Sequence, residues 1–226
     1  MKKSDVNFLE PSQEQLNSLL EHYQARRYED AKRLSISITQ EFPKHPFAWK
    51  VLGAVLKQMG KINESLVATQ KSVQLDPQDA AAHSNLGNTL KEQGRLNEAE
   101  ASLRQAIALK PDYAAAHSNL GVILKELGKL DEAEESYRKA IALKPDYAAA
   151  HYNLGVILKE LGKLDEAEAS YRKAIALKPD YAAAHSNLGV TLQELGKLDE
   201  AEASYRKAIA LKPDYAAAHS NLGVTL

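Results

Sequence analysis

The apolar residues of this chain recur at intervals of three and four residues, in segments separated by short turns. In one such segment, from Asp112 to Leu127, the apolar stripe consists of Leu120, Ile123, Leu124 and Leu127. The apolar side of the next segment is formed by Ala133, Tyr137, Ala140, Ile141 and Leu143. This spacing is typical of amphipathic helices, and the alternation of a strand is not seen. The pattern predicts pairs of helices.

Short turn sequences separate the two helices of a pair and end the second one. Gly128 follows the first helix, and glycine adopts the left-handed conformation in which many helices end. Asp131, with Glu134 three residues later, predicts a capping box at the start of the second helix. Pro145 cannot continue that helix, so the chain turns there into the next pair.

The same stretch of sequence is repeated with a fixed period. Residues 148–181 differ from residues 114–147 at two positions, where Tyr152 replaces Ser118 and Ala169 replaces Glu135. Six prolines, each 34 residues from the next, mark the period: Pro43, Pro77, Pro111, Pro145, Pro179 and Pro213. A constant period of this length predicts stacked helical hairpins. We therefore expect an all-α solenoid of antiparallel helix pairs, with about six 34-residue repeats and a final single helix.

The repeats differ in regularity along the chain, and this divides it into five parts. Residues 1–11 are predicted to be a leader, and residues 12–45 a degenerate capping repeat that opens with a capping box at Ser12. In that repeat Arg26 replaces the turn glycine and Ser35 replaces the tyrosine, as expected of a terminal unit with one face in water. The remaining parts are the second repeat at 46–79, four regular repeats at 80–215 and a half repeat at 216–226.

Eight residues fall where the tetratricopeptide repeat has its large, small and turn residues: Leu120, Gly121, Leu124, Gly128, Ala133, Tyr137, Ala140 and Pro145. The chain resembles this family over nearly its whole length. The resemblance implies a right-handed superhelix, with first helices lining a concave groove and second helices forming the convex outside. The family's aromatic residue near the start of the first helix remains only as Trp49 and is later replaced by His83, His117, His151, His185 and His219. Packing there is expected to be looser or more polar.

Composition and charge restrict the partners and the location of the protein. The 29 lysines and arginines nearly balance the 30 aspartates and glutamates, so neither nucleic acid nor an anionic membrane is an expected partner. Cysteine is absent, which excludes a disulfide framework and a thiolate metal site. The amino terminus lacks the apolar run of a signal peptide, and no stretch reaches the roughly 20 apolar residues of a membrane span. We expect a cytoplasmic protein without a cofactor.

The recurring histidines and carboxylates are not arranged for metal binding or catalysis. Histidines one repeat apart are separated by roughly 10 Å, whereas zinc ligands must converge at about 2.0 Å from the ion. Glu132 and Glu134 lie among lysines and arginines on a solvated helix, which does not favour paired-carboxylate chemistry. The sequence has neither a phosphate-binding glycine loop nor a nucleophile elbow. We therefore expect no metal site and no enzymatic activity, and we assign the histidines to packing.

A row of asparagines is the first candidate binding site. They precede the apolar leucine of each regular first helix, on a stripe with Ala115, Ser118, Val122 and Glu126, and are Asn85, Asn119, Asn153, Asn187 and Asn221. A side-chain amide both accepts and donates, so it can pair with the C=O and N–H of an extended peptide. Repeats roughly 10 Å apart match about three residues of extended chain. The alternative is that each asparagine bonds to a neighbouring helix and orients the stack.

The motif Ser-Asn-Leu-Gly, followed by Lys-Glu and Glu-Ala, resembles the repeats that precede the catalytic domain of O-linked N-acetylglucosamine transferases. In that family an equivalent asparagine row lines the superhelix and holds substrate polypeptide by its backbone. The resemblance implies the same role for the five asparagines of this chain. It also raises the alternative that the chain is the substrate-selecting module of a larger glycosyltransferase or sulfotransferase.

Few positions depart from the repeat, and these exceptions are what could give a ligand a fixed register. Asn88 stands where later repeats have valine, Tyr152 stands among serines, and Gln193 stands where other repeats have lysine. We expect ligand contacts from Asn88, Lys125 and Lys159, and from Tyr152 as a hot spot, because aromatic residues are enriched at hot spots. A chance difference left by recent duplication is the alternative for Tyr152.

The last repeat contains a first helix alone, so Leu222 and Leu226 have no second helix to cover them. End-to-end self-association through these residues is predicted, and such stacking need not close into a ring. The sequence thus favours a non-catalytic scaffold that binds proteins or extended peptides in an asparagine-lined groove. A module of a larger enzyme and a self-assembling array of repeats are the alternatives.

Overall fold

A computed structural model describes residues 10–225 of the chain. All regular structure in this part is helical, and its thirteen helices are α1 (Gln13–Gln24), α2 (Tyr28–Glu41), α3 (Pro46–Gln58), α4 (Ile62–Leu75), α5 (Ala80–Glu92), α6 (Leu96–Leu109), α7 (Ala114–Glu126), α8 (Leu130–Leu143), α9 (Ala148–Glu160), α10 (Leu164–Leu177), α11 (Ala182–Glu194), α12 (Leu198–Leu211) and α13 (Ala216–Thr225). The predicted all-α repeat fold is confirmed.

The chain forms two compact units, the first with α1 to α6 and the second with α7 to α13. Within each unit the two helices of a pair pack against each other, as α3 does with α4 and α7 with α8. First helices of successive pairs in a unit also approach within 8 Å between Cα atoms, whereas successive second helices of the same unit, among the described residues, do not. The first helices are therefore the closer-packed row of each unit.

The turn inside each regular pair is closed by backbone hydrogen bonds around a left-handed glycine. Gly128 has a φ of 75°. The N–H groups of Gly128 and Lys129 donate to the carbonyls of Lys125 and Leu124, at 2.9 and 2.8 Å. These two bonds form a Schellman motif, which satisfies carbonyls that the end of α7 would otherwise leave unpaired. The prediction of a glycine turn is confirmed.

The expected capping box of the second helix is wrong. Helix α8 begins at Leu130, one residue before Asp131, and its cap residue Lys129 makes no side-chain cap hydrogen bond. Lys129 has a ψ of 67°, outside the extended range typical of a cap residue. Asp131 lies in the first turn instead, where its charge suits the helix dipole. The capping box of Ser12 and Gln15 on α1 is confirmed, with bonds of 2.8 and 3.1 Å.

Arg26 occupies the glycine position of the turn in the first pair and adopts the same left-handed conformation, with a φ of 57°. The turn is closed as in the later pairs, because the N–H of Arg27 donates to the carbonyl of His22 at 2.9 Å. The Arg26 side chain is exposed. A left-handed residue other than glycine costs roughly 1 to 2 kcal/mol, so this turn is strained.

Replacing Arg26 with glycine should stabilise the first unit by up to about 1 kcal/mol, because relief of the strain is partly offset by the greater freedom of glycine in the unfolded chain. Thermal unfolding followed by circular dichroism measures the change. The matched reverse variant, Gly94→Arg, should lower the melting temperature. Identical melting of the Arg26→Gly variant and the wild type would contradict the assignment of strain.

In the four pairs from α5–α6 to α11–α12, the close contact is made by a glycine on the first helix and a large side chain on the second. A Cβ added to Gly121 would lie 2.7 Å from Cζ of Tyr137, which is almost fully buried. In the first pair the sizes are reversed, because Leu19 occupies the glycine position and Ser35 the tyrosine position. Both residues are fully buried. The degenerate first repeat therefore fills the same contact from the opposite helix.

This reversal predicts strong energetic coupling between positions 121 and 137. Gly121→Leu alone overpacks the contact and should cost about 1 to 3 kcal/mol. Tyr137→Ser alone leaves a cavity and should cost about 3 to 5 kcal/mol. The double variant copies the first pair and should cost clearly less than the sum. Urea denaturation of the wild type, the two single variants and the double variant gives the coupling free energy. A cost of the double variant equal to the sum of the single costs would show that the two side chains do not compete for the same space.

The histidines near the starts of the first helices are held by the turn that precedes them. Nε2 of His151 lies 3.0 Å from the carbonyl oxygen of Pro145, and the indole N–H of Trp49 donates to the carbonyl of Pro43 at 2.9 Å. Because a carbonyl can only accept, Nε2 carries the proton. Equivalent bonds join His83, His185 and His219 to Pro77, Pro179 and Pro213. Histidine thus keeps the N–H donor of tryptophan, and the contact is polar, as expected.

Ion pairs on the second helices join neighbouring repeats of the second unit. Glu134 lies 2.9 Å from Arg138 on its own helix and 2.8 Å from Lys163 of the next repeat. Arg138 also reaches Glu166 at 2.6 Å. The hydrogen bond from Lys163, together with that from Arg138, holds the pKa of Glu134 below its ordinary value. The same set recurs one repeat later with Glu168, Arg172, Lys197 and Glu200.

Candidate functional site

The asparagine row of the second unit lies at part-exposed positions of four successive first helices, as Asn119, Asn153, Asn187 and Asn221. On α7 the same stripe includes part-exposed Ala115 and Val122 and exposed Glu126. Ser118 was expected on this stripe, but it is 4% exposed and belongs to the packed face. The remaining positions are four, three and four residues apart, which places them along one side of the helix. We call this surface the asparagine face.

Most amides of the asparagine face have no partner within the protein. Among residues 10–225, the side chains of Asn119, Asn153 and Asn221 make no hydrogen bond. Asn187 differs, because its Nδ2 donates to the hydroxyl of Tyr152 at 3.1 Å. Bonding to a neighbouring helix, the alternative role for these asparagines, therefore applies to Asn187. The other three amides are free to meet a ligand.

The first unit has its own pair of amides on α5, Asn85 and Asn88, and both are part-exposed. Neither side chain is hydrogen-bonded within the described residues. On α3 the corresponding position is Val51, which is buried, so the row in this unit does not extend from α5 to α3.

Tyr152 is fixed by aromatic neighbours beside the asparagine face. Its ring centroid lies 4.8 Å from that of Tyr181, at an interplanar angle of 35°, and 5.9 Å from that of Tyr171, at 54°. Its hydroxyl accepts the hydrogen bond from Asn187. Burial raises the pKa of Tyr152, so the phenol is protonated and still has an O–H to donate. The side chain is part-exposed, and its free donor can reach a ligand.

The two lysines predicted to contact a ligand are already engaged in ion pairs. Nζ of Lys125 lies 3.0 Å from a carboxylate oxygen of Glu160, and Nζ of Lys159 lies 3.1 Å from Glu194. Each pair joins the end of one first helix to the end of the next. A ligand carboxylate would have to compete with these glutamates, so the two lysines are weaker candidates than the asparagines.

The second-helix tyrosines differ in how their hydroxyls are satisfied. Tyr205 donates to Oε1 of Gln193 at 3.0 Å. The hydroxyl of Tyr171 is buried and makes no hydrogen bond of good distance and angle among the described residues, although the side-chain amide of Asn187 lies beside it. The difference follows from the facing position, because Gln193 stands where the preceding repeat has Lys159, and Lys159 is held by Glu194. Gln193 is therefore a packing exception and is not free for a ligand.

The tyrosine before each first helix was not among the predicted site residues. Tyr181 has the Tyr152 ring as one neighbour, and Nζ of Lys178 lies 4.9 Å from its centroid. Lys144 and Lys212 make the equivalent cation–π contacts with Tyr147 and Tyr215. The signal that could have identified these residues is the sequence Lys-Pro-Asp-Tyr, which recurs at the repeat boundaries.

Open grooves lie between successive second helices of the second unit. A groove of about 440 Å³ between α10 and α12 has His185 and Leu188 of α11 among its lining residues. An equivalent groove of about 420 Å³ between α8 and α10 has His151 and Leu154. The arginines that line these grooves are paired with glutamates. We place the candidate site on the first helices, where unpaired amides recur.

The structure also bears on the expectations about metal binding, membrane spans and self-association. No group of three or more His, Cys, Asp or Glu side chains in the described chain is placed to hold a metal ion. Within residues 10–225, no helix has the length and apolar character needed to cross a membrane. Leu222 is part-exposed on α13, and Leu226 lies outside the described residues. Self-association through these two leucines stays a prediction.

Helix pairs of nearly constant length, closed by a left-handed turn residue and repeated every 34 residues, define a helical-hairpin repeat protein. The family model for the TPR repeat matches residues 53–94, 87–128, 123–162, 157–196 and 192–226. The chain therefore belongs to the tetratricopeptide repeat family. The matched model describes a repeat, not a catalytic domain.

Solved structures share this architecture. A chain of the APC/C hetero-tetramer Cut9–Hcn1 aligns over 94% of this chain and 42% of its own length, with a TM-score of 0.83 and 18% identity, so this chain spans less than half of it. YrrB, a TPR protein with an unusual peptide-binding site, aligns over 82% and 96%, with a TM-score of 0.67 and 22% identity. MamA aligns over 73% and 96%, with a TM-score of 0.66 and 28% identity. Comparison with curated protein sequences gave no match.

The two tyrosine hydroxyls predict opposite effects of the same substitution. Tyr171→Phe should leave the free energy of unfolding unchanged or raise it by about 1 kcal/mol, because it removes a buried hydroxyl that has no well-formed hydrogen bond. Tyr205→Phe is the matched control and should cost about 1 kcal/mol, because Gln193 loses its donor. Urea denaturation of both variants measures the difference. Equal losses would show that the Tyr171 hydroxyl is satisfied in solution.

Proposed function

We propose that the protein is a non-catalytic scaffold that binds extended peptide segments of partner proteins along the asparagine face. The proposal is carried by one observation. In the second unit, Asn119, Asn153 and Asn221 are part-exposed at corresponding positions of the first helices and make no hydrogen bond within the described protein.

Side-chain amides at this spacing suit the backbone of an extended peptide. Each amide offers a carbonyl acceptor and an N–H donor, which match the N–H and C=O of one residue of the ligand. First helices that pack roughly 10 Å apart present one amide for about every three residues of extended chain. Such contacts read the backbone and not the side chains, so we expect this face to accept many sequences.

The family supports a role in protein interaction. Two proteins that share its fold take part in such interactions, since YrrB has a peptide-binding site and the Cut9–Hcn1 chain is part of a hetero-tetramer. The resemblance of the Ser-Asn-Leu-Gly motif to the glycosyltransferase repeats supports the specific assignment to the asparagines. In the first unit, Asn85 and Asn88 supply a separate pair of amides, and Lys125 and Lys159 would contribute where a ligand carboxylate displaces their glutamates.

The other two roles expected from the sequence, a module of a larger enzyme and a self-assembling array, are compatible with peptide binding on the asparagine face. A substrate-selecting module of a glycosyltransferase or sulfotransferase would use the same asparagine face, so peptide binding is common to both. A self-assembling array would depend on Leu222 and Leu226 and would leave the asparagine face open. Both roles stay predictions.

Replacing Asn119, Asn153 and Asn221 together with alanine should weaken peptide binding strongly without unfolding the protein. The probe is a fluorescein-labelled host peptide of serine, threonine and alanine, and fluorescence anisotropy measures its affinity. We expect at least about a tenfold loss, because several hydrogen bonds to the peptide backbone are removed at once. The melting temperature should change little, because Asn119, Asn153 and Asn221 have no partner within the described protein.

Two controls separate recognition of the backbone from other effects. Asn97→Ala removes an exposed amide from a second helix and should leave affinity unchanged. A host peptide N-methylated at alternate residues lacks half of its N–H donors and should bind the wild type weakly. Retained binding by the triple variant would refute the asparagine face, and a collapsed melt would assign the asparagines to packing.

A further inference from the structure

We propose that Tyr152, together with Tyr181 and Asn187, forms a subsite for an aromatic side chain of the bound peptide, and that this subsite fixes the register of the peptide on the repeats. The inference rests on the proposed function, because it requires an extended peptide on the asparagine face. It adds the chemistry of one ligand side chain and selects one binding register.

Tyr152 interrupts the uniformity of the second unit. The corresponding residues of the neighbouring repeats are Ser118 and Ser186, which are 4% and 2% exposed. Tyr152 is part-exposed, and its side chain contacts Tyr171, Tyr181 and the Asn187 amide of the row. The repeat that contains α9 therefore offers a ligand an aromatic surface that these neighbouring repeats do not.

The Tyr152 ring is held in position before any ligand binds. Tyr181 and Tyr171 contact it at centroid distances of 4.8 and 5.9 Å, and Asn187 fixes its hydroxyl at 3.1 Å. A side chain that is already ordered loses little conformational entropy when a ligand packs on it. This arrangement is typical of an anchoring contact, in which one aromatic residue contributes much of the affinity.

The chemistry of this cluster favours an aromatic ligand side chain. The part-exposed ring of Tyr152 and the tilted ring of Tyr181 together form an aromatic surface. Aromatic pairs prefer offset or tilted contacts of this kind. The phenol accepts from Asn187 and keeps its own O–H to donate to a ligand carbonyl. A leucine side chain could cover the same area but would lack the aromatic contact. We expect phenylalanine to be preferred over leucine, and leucine over alanine.

The subsite also resolves the register of the peptide. Contacts with the asparagines alone define the register weakly, because Asn119, Asn153 and Asn221 each offer the ligand the same donor and acceptor. An aromatic residue bound at Tyr152 makes one register more stable than the others. The asparagines then contribute affinity by binding the peptide backbone, and Tyr152 determines which repeat each part of the peptide contacts.

The test uses the host peptide of serine, threonine and alanine, with phenylalanine, leucine or alanine at its centre. Wild-type protein should bind the phenylalanine peptide about tenfold more tightly than the alanine peptide, as expected for an anchoring contact. Tyr152→Ser copies the neighbouring repeats and should bind the two peptides alike. Tyr152→Phe keeps the ring and should retain the preference. Circular dichroism confirms that each variant is folded.

A transplanted tyrosine provides the matched control. Around Ser118 the residues that correspond to Tyr171, Tyr181 and Asn187 are Tyr137, Tyr147 and Asn153. In the double variant Ser118→Tyr, Tyr152→Ser, the new tyrosine therefore has the same potential partners one repeat earlier. The preference for phenylalanine should return. A benzophenone beside the phenylalanine should cross-link the double variant 34 residues earlier in the sequence than the wild type.

Each outcome decides between the two proposals. If wild-type protein binds all three peptides alike, and the triple asparagine variant loses binding, the aromatic subsite is refuted and the proposed function stands. If the Tyr152→Ser variant keeps the preference, or the cross-link does not move in the double variant, the subsite is refuted as well. If no peptide binds the wild type, both proposals fail.

Discussion

The close contact between the two helices of a pair determines how every other part of the repeat is arranged. Gly121 and Tyr137 show its limits, because the ring fills the space that a Cβ at position 121 would need. A contact this tight has a single depth and a single rotation of one helix on the other. Once it is formed, the stripe of the first helix that remains at the surface is also determined. The asparagine face is therefore a consequence of packing on the opposite side of the same helix.

The same constraint explains why the candidate site is repetitive and its exceptions matter. Neighbouring first helices come into close contact, so identical residues on them form rows. Rows of this kind also pair with themselves, as Lys125 does with Glu160 and Lys159 with Glu194. Asparagine has no such complement in the next repeat, and three of the four amides in the second unit stay unpaired among the described residues. Tyr152 changes this locally by giving Asn187 a partner.

The fold could be predicted from the sequence because its determinants are local and are repeated. Amphipathic spacing, the turn glycine and the proline at the boundary all act within a few residues, and five recurrences remove ambiguity. The capping prediction at Asp131 failed because the Schellman turn sets the start of α8 one residue earlier. Ser118 was predicted to lie on the surface stripe but is buried. It lies at the edge of that stripe, and whether an edge position is buried depends on how the helix is rotated when it packs against its neighbours.

The contacts of the candidate site were less predictable, because they depend on residues in the next repeat. The bond from Asn187 to Tyr152 spans 35 residues, and the Tyr181 ring meets Tyr152 from the turn before α11. No local pattern shows which of several identical tyrosines lies against Tyr152. The Lys-Pro-Asp-Tyr sequence was visible, but its role follows from the distance between neighbouring first helices. Where a partner is supplied by another repeat, the sequence defines the candidates and the packing selects among them.

The reversed sizes of Leu19 and Ser35 have a consequence for how such a protein can evolve. Repeat arrays grow and change by recombination between similar units. An exchange with one of the pairs of the second unit, with its breakpoint inside the first pair, would join Leu19 to a tyrosine or glycine to Ser35, giving an overfilled or an empty contact. Breakpoints in the turns between pairs avoid both. The first pair can therefore be moved into a rearranged gene only as a whole, whereas the pairs of the second unit, which share the same glycine and tyrosine, can exchange single helices.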